Sequence, residues 1–176
     1  MLDARGGYRH FHDDLALLKS RLLAMSERAE SLVELAIESL LERDRDKAEA
    51  VIVADTELDR LEVEVEQLAI SLLALQQPMA RDLRFLIGAI KVSSDVERVG
   101  DHAVNIAQCT VRLVEQRLSA PPTPALADMA RRARRMLSDA LDAFIRADGA
   151  LGRAIGKADD EVDAFHEGIF RVLLTH

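Results

Sequence analysis

Apolar residues recur at every third or fourth position over long stretches of this chain, and no stretch alternates convincingly with the two-residue period of a β-strand. The clearest seam contains Val51, Ala54, Leu58, Leu61, Val65, Leu68, Leu72 and Leu75. Such spacing keeps one side of a helix against a partner helix, as in bundles and coiled coils. Aromatic residues are only 3% of the chain, so aliphatic side chains must form the core. The pattern predicts an all-α fold.

The same period predicts five helices, over residues 10–43, 48–75, 79–118, 126–147 and 151–174. Pro78 breaks the second helix and suits the start of the third, because the N–H that proline lacks is not needed there. The segment SAPPTP (119–124) is the clearest linker, since its prolines do not continue a helix.

A shift of 104 residues aligns the chain with itself. The shift places ADDEVD (158–163) on ADTELD (54–59) without a gap. Further matches are Met129 with Met25, Ala133 with Ala29, Ala140 with Ala36, and Asp148 with Asp44. Because one shift holds across two helices and the turn between them, it indicates an internal duplication of a helical unit.

The duplication is incomplete, because the counterpart of the third helix would begin near position 183, beyond His176. We therefore expect a tandem repeat of three-helix bundles with two helices in the second: a first bundle over 1–118, a linker over 119–125, and the second unit over 126–176. An open apolar face on the second unit would favour association, and we expect a homodimer.

Charge and cysteine content limit the classes of function. The net charge of −8 argues against non-specific binding of nucleic acid, which needs a basic surface. No apolar stretch approaches the ~18 uncharged residues that a transmembrane helix needs, and the N-terminus lacks the apolar region of a signal peptide. The single cysteine, Cys109, cannot form an intrachain disulfide. We expect a soluble cytoplasmic protein that does not insert into membranes.

Two carboxylates in the third helix, Glu97 and Asp101, are four residues apart and so share one helix face. On a helical wheel Asp101 lies about 40° from Glu97, whereas the apolar stripe centres roughly 140° to 180° away. The pair is therefore expected to face outward, with Asn105 continuing the polar line. Upstream the same face is apolar, at Leu83, Ile87 and Ile90. We expect it to be covered there.

The second helix carries a similar acidic stripe, at Asp55, Asp59, Glu62 and Glu66, and Asp159 and Asp163 repeat it in the second unit. Carboxylates four residues apart repel each other by a few tenths of a kcal/mol on an exposed helix. A hard cation removes that cost, and two neighbouring helices of this kind suit Mg²⁺, Mn²⁺ or iron. A solvated acidic face is the simpler alternative.

Gly100 lies inside the third helix, where glycine costs roughly 0.5–1 kcal/mol relative to alanine. Such a glycine usually permits close approach of another helix or a ligand. His102 points to a different flank from Glu97, so we expect it to be a surface histidine. Cys109 has no His–Asp arrangement nearby in the sequence, which argues against a catalytic thiol.

Two linked motifs, QQPMARDLR (76–84) and DVERVGDHAVNIA (95–107), strongly resemble the PhoU family of phosphate-uptake regulators. The resemblance implies tandem three-helix bundles and a regulator, not an enzyme. Members of the family restrain phosphate import and the phosphate-starvation response. The implied partners are the ATPase subunit of a Pst-type phosphate transporter and a sensor histidine kinase.

The resemblance also implies a metal site, because some PhoU proteins bind iron, manganese or zinc through an E(D)xxxD motif in each bundle. That motif maps here onto Glu97 and Asp101, with support from Asp55 and Asp59 on the second helix. The second copy would lie on a third helix that follows residue 176. Asp159 and Asp163 are present, but their expected partners are not.

Two other interpretations remain open from the residues alone. A carboxylate-bridged di-metal enzyme would need Glu-x-x-His motifs that point into a four-helix core, and none is placed inward here. A metal-free structural bundle would use the acidic pairs only to keep one face soluble.

Overall fold

The computed structural model describes residues 4–76, 78–117 and 124–174, which are helical apart from short turns. The helices are α1 (Ala4–Glu42), α2 (Arg45–Gln76), α3 (Ala80–Glu115), α4 (Pro124–Arg146) and α5 (Gly149–Leu174). The prediction of an all-α fold is confirmed. α1 begins six residues earlier than predicted, and the other boundaries agree to within three residues.

The first three helices pack against one another around an aliphatic core. Its fully buried large side chains include Leu18, Leu22, Met25, Leu32, Val51, Leu58, Val65 and Leu86. α4 packs against α1, and α5 packs against α4. The stacked rings of Phe85 and Phe144, with centroids 5.0 Å apart, join the start of α3 to the end of α4.

The duplication is visible in the two helix–helix turns. α1 ends at Glu42 and α4 at Arg146, positions that the 104-residue shift makes equivalent. The next residues, Arg43 and Ala147, share a left-handed backbone conformation with φ of 55°. This conformation ends a helix by turning the chain out of the right-handed spiral.

The N-caps of α2 and α5 match in the same way. The carboxylate of Asp44 accepts a hydrogen bond of 3.0 Å from the backbone N–H of Lys47. At the equivalent positions, Asp148 accepts one of 3.0 Å from the N–H of Leu151. Aspartate is a favoured N-cap because it satisfies N–H groups that have no partner in the first turn.

An ion pair across each hairpin is repeated as well. Arg28 on α1 binds Glu57 on α2 at 3.0 Å, and Arg132 on α4 binds Glu161 on α5. Both pairs obey the 104-residue shift. The two hairpins therefore share end geometry, caps and a cross-helix contact.

The second hairpin is more open than the first. Ala29 and Ala36 are completely buried on α1, which packs against α2, α3 and α4. Their equivalents Ala133 and Ala140 are exposed on α4. None of the described helices is both long and apolar enough to cross a membrane.

The predicted linker needs one correction. Residues 118–123 lie outside the described ranges, but Pro124 and Ala125 belong to the first turn of α4. Proline is well suited to this position, because its fixed φ matches the helix and its missing N–H would have no partner there.

Candidate functional site

α2 and α3 approach each other closely at Gly100, which is buried. A Cβ atom on Gly100 would overlap Cδ2 of Leu58 and lie 2.8 Å from Oδ1 of Asp55. The prediction that Gly100 permits a close helix contact is confirmed. The contact also brings the acidic face of α2 beside that of α3.

The acidic residues of the two helices form one group. Burial raises the pKa of Glu97 above its ordinary value, and so, to a smaller extent, does the negative charge of Asp101, Glu62, Asp59 and Asp55. The pKa of Asp55 is likewise raised by burial, then by Asp59 and Asp101. Four of the predicted site residues therefore influence one another across the helix pair. We call Asp55, Asp59, Glu62, Glu97 and Asp101 the carboxylate cluster.

Sequence reasoning placed Glu62 in the acidic stripe but did not include it among the candidate ligands. Its spacing of seven residues from Asp55 puts the two side chains on the same face of α2, and that spacing could have identified it.

None of the carboxylates in the cluster forms an ion pair within the part of the chain that the structure describes. Other acidic residues on the same helices do: Glu57 pairs with Arg28, Glu64 with Arg21, and Asp95 with Arg98. The mutual repulsion of the cluster is therefore left without a neutralising cation from these helices.

The donor chemistry of the cluster suits a hard cation, because carboxylate oxygens are the ligands that such ions prefer. Within residues 4–76, 78–117 and 124–174, however, no three acidic, histidine or cysteine side chains are close enough to hold an ion as they stand. Asp59 and Asp101 are exposed. Coordination would require rotation of side chains in the cluster.

The outward orientation of the acidic pair agrees with the sequence prediction: Glu97 is half-buried, whereas Asp101 and Asn105 are exposed. The expected cover over the upstream apolar face holds for Ile90, which is partly buried against the core, but is wrong for Leu83 and Ile87. Leu83 is 38% exposed and Ile87 46% exposed, because α1 packs against the opposite side of α3.

Asp159 and Asp163 are exposed on α5. Because α5 packs against α4, these two residues do not join the carboxylate cluster between α2 and α3. His102 and Cys109 are exposed too, on α3.

The sequence profile described as the PhoU domain matches residues 22–110 and 126–176 of this chain. A phosphate-specific transport system accessory protein PhoU homolog of Caulobacter vibrioides is 39% identical over 170 residues, which are 96% of this chain and 73% of that protein. A protein of the same description from Aquifex aeolicus is 33% identical over 93% of this chain and 73% of its own length.

Two solved structures share the fold. The crystal structure of PhoU from Pseudomonas aeruginosa has a TM-score of 0.86 at 31% identity and covers 94% of this chain and 79% of its own. The phosphate transport system regulatory protein PhoU from Streptococcus pneumoniae has a TM-score of 0.81 at 28% identity, over 90% of this chain and 74% of its own.

Replacing Gly100 with alanine should destabilise the protein. The added methyl group collides with Leu58 and Asp55, and overpacking of this kind costs about 1–3 kcal/mol of unfolding free energy. Urea denaturation measures the change. Gly156→Ala is the matched control, because a Cβ there meets nothing within 4 Å, and it should stabilise α5 by roughly 0.5–1 kcal/mol. Equal effects of the two substitutions would contradict the close contact.

The stability of the protein should depend on the ionisation of Glu97. Because the pKa of Glu97 is higher in the folded state, its ionised form destabilises the fold. That cost is absent below the ordinary pKa of 4.5 and develops fully as the pH rises through the raised value. In buffer with EDTA, which keeps the protein metal-free, Glu97→Gln should therefore melt at a higher temperature than the natural protein at pH 7, with no difference at about pH 4. Glu167→Gln on α5 is the control, and a pH-independent gain at Glu97 would refute the electrostatic origin.

Proposed function

The chain belongs to the PhoU family, and from that premise we propose that it regulates phosphate uptake and phosphate-starvation signalling. It acts as an accessory protein that binds other proteins and has no catalytic role. The observation that carries this proposal is the 39% identity over 96% of the chain to an accessory protein of a phosphate-specific transport system. The shared fold of a phosphate transport system regulatory protein supports it.

The proposed partners are the ATPase subunit of a Pst-type transporter and a sensor histidine kinase. Both present domains to the cytoplasm, which is the location we propose for this chain. Binding restrains phosphate import and keeps the starvation response off while phosphate is abundant.

We further propose that Glu97 and Asp101, with Asp55 and Asp59, hold a metal ion: iron, manganese, zinc or magnesium. The unpaired charges of the carboxylate cluster and the raised pKa values of Glu97 and Asp55 support this role. A bound cation would supply positive charge that relieves the repulsion and ties α2 to α3. Asp159 and Asp163 would contribute to a second site once further ligands are supplied.

The carboxylates of α2 and α3 lie on an outer face of the bundle and not inside a four-helix core. This placement does not favour the di-metal enzyme, which needs ligands that project inward from several helices. A metal-free structural bundle would leave the repulsion among the carboxylates of the cluster uncompensated.

We also propose a homodimer formed through the second hairpin. Its exposed apolar side chains, such as Phe170 at 58% exposure, favour self-association. Light scattering of the purified chain should give twice the mass of 19.5 kDa, and Phe170→Asp should shift that mass towards the monomer. A strictly monomeric natural chain would contradict the proposal.

The metal site is tested by elemental analysis and thermal unfolding of the purified protein. The double variant Glu97→Gln/Asp101→Asn should lose most of its bound metal, whereas Asp159→Asn/Asp163→Asn should lose little. Added Mn²⁺ should stabilise the natural chain by about 2.7 kcal/mol when its concentration is 100 times the Kd. The same stabilisation in the Glu97/Asp101 variant would rule out these ligands.

The adaptor role is tested by direct binding. Calorimetry with the purified transporter ATPase subunit, or with the cytoplasmic part of the sensor kinase, should show a stoichiometric complex. An unrelated ATPase subunit serves as the negative control. No complex with either partner would overturn the proposed function.

A further inference from the structure

One side of the α2–α3 pair is exposed and has two chemically different halves. Near the turn between the helices it is apolar, with Ile70 50% exposed, Leu83 38% and Ile87 46%. Farther from the turn it carries the exposed carboxylates Asp59 and Asp101, together with the exposed aliphatic side chains of Val63 and Ile52. We call this surface, with Glu97 at its inner edge, the α2–α3 outer face.

The two halves form one continuous surface. α2 and α3 are antiparallel neighbours, and the contact of Gly100 with Leu58 and Asp55 fixes their register. The same register places Ile87 across from the region of Ile70. Fourteen residues separate Ile87 from Asp101, which is about 21 Å or four helical turns. The α2–α3 outer face is therefore as long as a short helix.

Within the described residues, the apolar half is not covered by other side chains and the carboxylates of the other half are not paired with cationic side chains. Burial of an exposed aliphatic side chain is worth about 1.5–3 kcal/mol, yet the apolar half is open. The carboxylates have no ion pair, although Glu57 and Glu64 on the same helix do. A partner that adds apolar side chains at one end and positive charge at the other would satisfy both halves.

We propose that the α2–α3 outer face binds one amphipathic helix of a partner protein, about four turns long. Its apolar side chains pack against Ile70, Leu83 and Ile87. In the metal-free state of the carboxylate cluster, its lysine or arginine side chains lie against Asp59 and Asp101. This inference rests on the proposed adaptor function and identifies the surface through which the adaptor acts. Binding of a helix by an apolar groove, with charge setting the direction, is an established mode of peptide recognition.

A second copy of this chain does not suit the surface. In a twofold contact of the α2–α3 outer face with itself, carboxylates would meet either carboxylates or the apolar half, and both arrangements leave buried charge uncompensated. Three of the four arginines in the arginine-rich segment of α4, Arg131, Arg132 and Arg134, already form ion pairs within the chain. A second copy also carries a net charge of −8, so a basic helix of another protein is the more complementary partner.

The probe is a fluorescent 15-residue helical peptide with leucines on one face of its first half and arginines on the same face of its second half. A second peptide has the same composition but alternates leucine and arginine along that face. Both are made in both chain directions and titrated with the full chain in the presence of EDTA. The segregated peptide, in one of its directions, should bind at least tenfold more tightly than the alternating peptide.

Variants locate the binding surface. Ile87→Asp and Asp101→Lys should each weaken binding of the segregated peptide at least tenfold. Val53→Asp is the apolar control, since Val53 is 75% exposed elsewhere on α2, and Asp160→Lys on α5 is the charge control. Both controls should leave the affinity unchanged. Circular dichroism melting establishes that each variant is folded.

Equal affinity for the two peptides would overturn the proposal, as would equal weakening by the controls. Light scattering tests whether a second copy of this chain binds the α2–α3 outer face instead. If Ile87→Asp lowers the mass of the protein in solution, the face binds a second copy and the inference is wrong. An unchanged mass together with loss of peptide binding supports it.

Binding measurements with the purified ATPase subunit distinguish a failure of the docking surface from a failure of the proposed adaptor function. Loss of ATPase binding in Ile87→Asp, with binding retained in Val53→Asp, supports the docking surface. If the natural chain and Ile87→Asp bind the ATPase equally, the docking surface is refuted while the adaptor function stands. If the natural chain binds neither the ATPase nor the kinase, the adaptor function is refuted. The docking surface is then refuted as well if the segregated peptide also fails to bind, and it stands if that peptide binds as expected.

Discussion

The contact between α2 and α3 at Gly100 determines how closely the two helices pack and how near their acidic side chains lie to one another. Because residue 100 lacks a side chain, Leu58 and Asp55 can lie against the backbone of α3. The close approach packs the core on one side of the contact and gathers the carboxylates on the other. A larger residue would separate the helices and weaken both effects together.

This arrangement has an electrostatic cost, because carboxylates come together and none of them has an ion pair among the described residues. The pKa values of Glu97 and Asp55 are raised, first by burial and then by the neighbouring carboxylates. Glu57 and Glu64, on the opposite side of α2, are paired with arginines of α1. The contrast separates carboxylates that stabilise the bundle from carboxylates that remain available to a cation.

Much of the fold follows from the sequence, because helical period and turn residues act locally. The all-α class, the helix boundaries and the 104-residue repeat depend on such local signals. The exposure of Leu83 and Ile87 does not, since it depends on which side of α3 meets α1. Glu62 was not predicted to belong to the carboxylate cluster, because the sequence does not give the register in which α2 packs against α3. The separation of Asp159 and Asp163 from the other carboxylates likewise required the packing of α5 to be known.

The paired turns at Asp44 and Asp148 have a consequence for the order of folding. Each turn carries its own stop signal and cap within a few residues, so each hairpin can form from contacts that are close along the chain. Structures rich in such contacts fold fast, because little loop entropy is lost before the helices meet. We expect the two hairpins to form early and independently. The contacts of α3 with α1, which bridge the longest separations in the first bundle, would then form last.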